Sequence, residues 1–245
     1  MREAERKFVI EGSRAVESAI LSKVELEAIY FEASDNEIAV NVLEKASRIG
    51  YRIYEVAPGT LDRVADAVTP QTVVAVASFV DQKISAIELD SFVVVMAGVR
   101  DPGNAGTIIR TGLAAGASAV ILCEQCVDIY NPKTVRASAG ALFSVPIAMV
   151  DSLGVVSEFL RAQGFQMIGT SSHAKTWYWD ADLTGKAAIV LGNEGSGLDE
   201  SYSGLFDYSV TIPIDTRAES LNVGVAASVL MFEAMRQRLT MDKKG

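Results

Sequence analysis

Residues 91–98, SFVVVMAG, form an unbroken apolar run, the pattern of a strand buried on both faces rather than on one. Such a strand demands partners in a parallel sheet and helices above and below it, and the chain that follows supplies them. VRDPGNAG breaks the run with Asp, Pro, Gly and Asn in succession, and a helix beginning at Asn104 or Gly106 is ended by Gly116. ASAVILC reads as the next strand. NPKTVRASAGAL reads as helical after Asn131 and Pro132, the Asn capping and the Pro at the first helical position. Residues 152–163 read as a further helix, FQMIGT as a strand ending at Thr170, and KAAIVLG as a strand ending at Gly192. This alternation predicts an α/β fold with a mostly parallel, two-sided sheet.

The C-terminal stretch DYSVTIPIDTRAESLNVGVAASVLMFEAMRQR begins with a short strand containing Val210 and Ile212. A loop carrying Thr216, Arg217, Glu219 and Ser220 follows. The final helix places Val223, Ala227, Leu230, Met231 and Ala234 at three- and four-residue spacing. Polar groups gathered at a helix N-terminus can receive a polar or anionic ligand. The plainer reading is that Ser220 or Asn222 caps the helix.

The first 80 residues give a second, smaller unit. SRAVESAILS reads as a helix with Ser13 as its cap, LEAIYF as a strand and Glu37 to Ile49 as a helix. YRIYEV at 51–56 reads as a strand, the segment around Leu61 to Ala67 is helix-compatible, and TVVAVASFV at 72–80 is rich in β-branched residues. The polar, weakly patterned DQKISAIELD at 81–90 reads as a linker between a domain at 1–80 and a domain at 91–245.

The formal net charge of −9 is spread along the chain: nine Lys/Arg oppose thirteen Asp/Glu in residues 1–80, and thirteen oppose eighteen in residues 81–245. Neither part can hold nucleic acid by counterion release alone, so any such contact needs a local basic cluster or a shaped site. No apolar run is long enough to span a bilayer, and the N-terminus has no basic segment followed by an apolar core, which points to the cytoplasm. The only cysteines, Cys123 and Cys126, exclude a disulfide framework. Their CEQC spacing matches half of a metal or redox site, but with one histidine, His173, and no further cysteine a zinc cage is not expected.

Three polar or glycine-rich loops each follow an apolar strand directly. They are GVRDPGNAGTIIR, IVLGNEGSGLDE and IPIDTRAESLN, and in an open α/β sheet they would meet at its carboxyl edge, where ligands bind. The first lacks the G-x-G-x-x-G of a dinucleotide site and the Gly-Lys-Ser/Thr of a phosphate loop. Each also has a plain reading, as a tight turn, a surface connection or a helix cap.

GVRDPGNAGTIIRTGLAAGA, VDIYNPKTVRASAGALF, VLGNEGSGL and IPIDTRAESLNVGVAASVLMFE, in this order over roughly residues 91–240, resemble the SpoU (TrmH-like) branch of the SPOUT RNA methyltransferases. Residues 1–80, ending TPQTVVAVA, look like that family's frequent N-terminal substrate-binding domain, although its usual basic lead-in is reduced here to Arg2, Arg6 and Lys7. The resemblance implies an S-adenosylmethionine-dependent 2′-O-methyltransferase acting on structured RNA, ribosomal (23S) in preference to transfer RNA. It implies a homodimer whose active sites are completed across the interface, with no metal and no membrane. It also implies a deep trefoil knot, which pattern reading would not produce. A non-catalytic RNA-binding protein on the same fold and a dehydrogenase-like nucleotide enzyme are the rival readings.

By the same resemblance Asn104 and Arg110 are the polar pair of the first motif, Asn193 and Glu194 of the second, and Ser220 and Asn222 of the third. The backbone at Gly192, Ile212 and Leu221 would hold the cofactor, with Thr170 and Asn193 lining the pocket. A ribose hydroxyl is a weak nucleophile, so the site must take its proton or stabilise the alkoxide as it forms. Arg110 is the candidate, and its high pKa favours stabilisation over base catalysis. Asn104, Ser220 and Asn222 would orient it, and Glu194 would fix the loops by pairing with Arg110 or another cation. Lys133, Arg136 and Arg217 are the expected RNA contacts, with solvated surface as their plain reading.

Overall fold

The structure is a computed structural model that describes residues 2–33, 36–63 and 71–242. After a short helix α1 (Arg2–Glu5) come strand β1 (Lys7–Glu11), helix α2 (Ser13–Leu21), β2 (Leu26–Phe31), α3 (Glu37–Ile49), β3 (Ile53–Glu55) and β4 (Val73–Ser78). The four strands form one sheet in the order β1-β4-β2-β3, antiparallel except for β2 with β3. Ser13 does not cap α2, which has no side-chain cap at all. Asn36 caps α3, accepting from the amides of Ile38 and Ala39, and Gly50 ends it in the left-handed conformation. Of the segment expected to be helical at 61–67, Leu61–Arg63 is a single 3-10 turn and the remainder lies outside the described residues.

The second half builds a seven-stranded sheet, parallel throughout. Its elements are β5 (Val93–Ala97), α4 (Pro102–Ala114), β6 (Ala119–Cys123), α5 (Pro132–Ala137), β7 (Ile147–Met149), α6 (Leu153–Ala162), β8 (Gln166–Thr170), β9 (Thr176–Trp177), β10 (Ala187–Leu191), β11 (Tyr208–Thr211) and α7 (Val223–Asp242). The strand order is β7-β6-β5-β10-β8-β11-β9. The continuous apolar run is β5, near the middle, and its alternate residues serve opposite faces. Phe92, Val94 and Met96 pack under α4 and α7, while Val93, Val95 and Ala97 pack against Leu153, Val156 and Leu160 of α6.

The polar stretch 81–90 is not a free tether. Ile87 and Leu89 are buried on the α6 side of the large sheet, and Gln82 donates its amide to Ile147 of the edge strand β7. The two sheets are tied together from the other side by Tyr130, whose ring stacks on Phe79 with centroids 3.8 Å apart. Its hydroxyl accepts from the amides of Val80 and Asp81 and donates to the Asp81 carboxylate, which also pairs with Arg6 at 3.0 Å. Burial, ahead of the Asp81 carboxylate, pushes the phenol's pKa up, so the hydroxyl keeps its proton.

Candidate active site

The carboxyl ends of β5 and β10 are neighbours, and the loops that leave them are locked together by one carboxylate. Glu194 accepts from the amides of Arg100 at 3.2 Å and Asp101 at 3.0 Å, and from the side-chain amide of Asn104 at 2.9 Å. Burial pushes its pKa up, but the bonds from Asn104, Asp101, its own amide and Arg100 outweigh that and hold it below the ordinary glutamate range. Glu194 thus holds the two loops together, but with main-chain amides and Asn104; among the described residues it pairs with neither Arg110 nor another cation.

Helix α4 begins at Pro102, two residues before Asn104 and four before Gly106, the two starts expected from the sequence. Asp101 is its cap, accepting from the Asn104 amide at 2.8 Å with Pro102 at the first helical position. That bond, ahead of Lys133, lowers the Asp101 pKa. The Asp-Pro pair is the sequence signal for this cap, although with Gly103 and Asn104 it also spells a turn. Arg100 and Asp101 join this cluster through their main-chain amides, and neither is among the residues that the motifs single out.

Asn222 closes the third side. Its Oδ1 accepts from the amides of Gly224 and Val225, which makes it the cap of α7 in place of Ser220, and its Nδ2 donates to Asn104 Oδ1 at 2.8 Å. Asn104 therefore receives one loop on its oxygen and the other through its nitrogen, and it is nearly buried at 9% exposure. Helix α7 is held on α4 by a hydroxyl pair, Thr111 with Ser228 at 3.1 Å.

Gly192 follows the last residue of β10 and lies under the returning loop. A Cβ there would lie 2.1 Å from the Gly197 carbonyl carbon, so no other residue fits without moving backbone. The loop is closed by reciprocal main-chain bonds between Asn193 and Gly197, both 3.1 Å. The Asn193 side chain is used up inside it, accepting from the amides of Gly195 and Ser196. Among the described residues, the main-chain groups of Gly192, Ile212 and Leu221 have no main-chain partner, and Thr170 stands between them with its hydroxyl donated to Val190 O. These groups line the ends of adjacent strands and are free to bond a ligand.

Arg110 is not part of this cluster. It lies six residues beyond Asn104 on α4, roughly 9 Å along the axis and two-thirds of a turn round, exposed and with no ion pair among the described residues. Ser220 is likewise exposed in the loop before α7. The three expected RNA cations have protein partners. Lys133 reaches Asp101 at 3.5 Å, Arg136 pairs with the buried carboxylate of Glu11 at 3.0 Å, and Arg217 pairs with Asp215 in its own loop at 2.8 Å.

The CEQC pair lies at the end of β6, behind the site. The thiols of Cys123 and Cys126 both donate to Met96 O, and burial raises both pKa values, which disfavours the thiolate that metal binding or redox attack needs. Among the described residues no group of three or more His, Cys, Asp or Glu side chains is placed to hold a metal ion, and no helix is long and apolar enough to cross a membrane.

Comparison with known proteins gives two family matches. Residues 91–232 match the SpoU rRNA Methylase family, and residues 1–75 match the MRM3-like substrate binding domain. The chain is 32% identical over 225 residues to the 23S rRNA (guanosine(2553)-2′-O)-methyltransferase RlmP of Bacillus subtilis, covering 92% of this chain and 87% of that one. It is 33% identical over 238 residues to the 23S rRNA (guanosine-2′-O-)-methyltransferase RlmB of Bordetella pertussis, covering 94% and 97%. Among solved structures, the SpoU methyltransferase AviRb from Streptomyces viridochromogenes in complex with AdoMet superposes with a TM-score of 0.88 at 30% identity, covering 98% of this chain and 93% of that one.

Proposed function

The chain belongs to the SpoU rRNA methylase family, and from that premise we propose that it transfers the methyl group of S-adenosylmethionine to a ribose 2′-hydroxyl of 23S ribosomal RNA. The observation that carries this reading is the hydrogen-bond chain Asn222–Asn104–Glu194, which joins the three motif loops at the carboxyl edge of the sheet.

The cofactor fits the unpaired main-chain groups at Gly192, Ile212 and Leu221, which offer donors and acceptors to adenine and ribose, with Thr170 alongside. When bound, it supplies an electrophilic methyl group on a sulfonium. The chain's own contribution is positioning: Glu194 and Asn104 hold the first and second loops rigid, and Asn222 holds the third against them, so the nucleophile meets the methyl in line. Asn193 shapes the second loop from within. Ser220, exposed in the loop two residues before the cap, bonds the substrate in this reading.

Arg110 is exposed and outside its own cluster, and we assign it to the site of a second subunit, where it stabilises the alkoxide or clamps the adjacent phosphate. The outer face of α7 supports a homodimer. Val225, Phe232 and Leu239 recur every seven residues and are each 50% exposed, a seam of the kind that pairs helices. Lys133 and Arg217 are exposed cations; the single 3.5 Å contact of Lys133 with Asp101 exchanges for phosphate at little cost, whereas Arg217 must release a two-bond grip on Asp215. Arg136 is bound to buried Glu11 and acts by fixing the first unit on the second. The reading includes residues 1–80 as a substrate-binding domain, 81–90 as its connection and 91–245 as the methyltransferase domain, with the loops after β10 and β11 threaded as a knot, in the cytoplasm where ribosomes are assembled.

Incubation with labelled S-adenosylmethionine and 23S rRNA lacking the modification, followed by nucleoside analysis, tests the assignment. A single 2′-O-methylated nucleoside in 23S rRNA is expected. Label found only in transfer RNA, or RNA binding without any transfer, overturns it.

A further inference from the structure

The four-stranded sheet has one face covered by helices and one that is exposed at its β2–β3 end, Ala28 and Val74 on that second face being buried. Val16, Ala19 and Ile20 of α2 and Ala39, Val42 and Ala46 of α3 cover the first. On the other, Tyr30 of β2 and Tyr54 of β3 are register partners, and their rings stack with centroids 5.5 Å apart at 25°. Tyr30 is half-buried and backs the pair. Tyr54 is 48% exposed, so the outer ring of the stack is presented to solvent.

Beside the tyrosines the sheet is irregular. The register between β2 and β4 shifts between Leu26 and Ala28, which leaves Glu27 as the extra residue of a bulge. Bulges re-aim side chains, and here Glu27 is turned to the rim of the open face, where Lys7 Nζ meets it at 2.7 Å. Two adjoining concavities of about 420 and 170 Å³ share Glu27 and Arg52 as a common wall, and the smaller is floored by Tyr30 and Tyr54. Arg52 is exposed and makes no ion pair among the described residues.

We propose that this face is a nucleobase subsite for the RNA substrate, in which one unpaired base stacks on Tyr54. Arg52 takes the adjoining phosphate, and the Glu27 carboxylate accepts from an amino group on the base edge. The inference rests on the functional reading above, because it supposes an RNA substrate. A single everted base suits the site better than a continuous strand, since Glu25 and Glu27 on its walls repel a run of phosphates. Unpaired bases stacked on aromatic side chains of a sheet, and read on their edges, are a general mode of RNA recognition. The carboxylate favours adenine, guanine or cytosine over uracil, which has no amino group.

Two measurements test the subsite. In steady-state methylation of 23S rRNA, Tyr54→Ala should raise KM for RNA about ten- to a hundredfold, with kcat and cofactor affinity unchanged and with Tyr54→Phe restoring the wild-type value. In anisotropy titrations, an adenosine decamer should bind more tightly than a uridine decamer. Glu27→Gln should remove that preference, and Arg52→Ala should flatten the salt dependence by about one phosphate contact. A KM for Tyr54→Ala within about twofold of an active wild type overturns the subsite. So does a change in oligomeric mass in place of RNA affinity, which would make the face a protein contact. A wild type that methylates no 23S rRNA defeats the functional reading instead, and the decamer titrations then decide the subsite alone.

Discussion

Asn222 donates from Nδ2 to Asn104 Oδ1 at 2.8 Å, joining two side chains 118 residues apart in sequence. The same residue caps α7 through its oxygen, so a local role and a long-range role are carried by opposite ends of one amide. The cap alone is a common device and says little about function. The tie to Asn104, and through it to Glu194, connects the third loop to the other two.

The two roles separate on substitution. Asn222→Ala should lower stability by about 1 kcal/mol through loss of the cap and should abolish methylation. Asn222→Asp keeps an equally good cap but cannot donate to Asn104, so its thermal midpoint should stay near the wild-type value while methylation falls as far as in the alanine variant. An Asp variant with normal turnover would make the Asn104 contact incidental.

Glu194 makes the site sensitive to acid. Its folded pKa lies below the ordinary value of 4.5, so the stability it contributes is fully present above that value and is lost as pH falls through the folded pKa. The difference in unfolding midpoint between wild type and Glu194→Gln should be largest near neutrality and should close as pH falls through the lowered folded pKa. Near pH 7 Glu194 is already ionised, so a titration in the methylation rate there must belong to another group. A stability gap that widens in acid would mean that the carboxylate is protonated in the folded chain.

Gly192 and Gly195 lie in the same loop but should respond differently. A methyl at Gly192 meets the Gly197 carbonyl carbon at 2.1 Å, whereas at Gly195 the nearest atom is Asn193 Oδ1 at an ordinary 3.6 Å. Gly192→Ala should therefore cost about 1–3 kcal/mol of overpacking and remove measurable S-adenosylmethionine binding in calorimetry. Gly195→Ala should leave both nearly unchanged. Equal behaviour of the two variants would show that the loop is soft and that its closure over Gly192 does not shape the pocket.

How far these relationships can be read from the chain depends on their range. The buried strands, the Asn131-Pro132 helix start and the final helix follow from apolar spacing and local turn chemistry, and the structure contains them. Strand β1 did not show, because KFVIE is five residues long and follows the charged REAER, and β7 and β9 are only three and two residues long. The Asp101 cap was legible in Asp-Pro but was masked by the turn that Asp-Pro-Gly-Asn also spells. The Tyr130 clamp on Asp81 had no sequence signal, since its partners are 49 residues away and only the packing of the two sheets brings them together. The pairing of Arg136 with Glu11, 125 residues away, was hidden for the same reason. A cation in a motif is visible as a residue, but whether it is free is decided by tertiary contacts.

Arg110 provides the last test, because its position on α4 makes a statement about a second subunit. It is separated from Asn104 by two-thirds of a turn of the helix, and it is exposed while Asn104 is buried. If each site borrows its arginine, Arg110→Ala and Asn104→Ala are both inactive as pure dimers, yet a dimer with one subunit of each holds one complete site. Equal mixing after subunit exchange should then restore about one quarter of wild-type activity, since half of the dimers are mixed and each carries one working site of two. Phe232→Glu, in the exposed seam of α7, should shift the protein towards monomer in sedimentation and remove activity in parallel. A mixture that stays inactive while exchange is demonstrated would place Arg110 in its own subunit's site, or outside the mechanism.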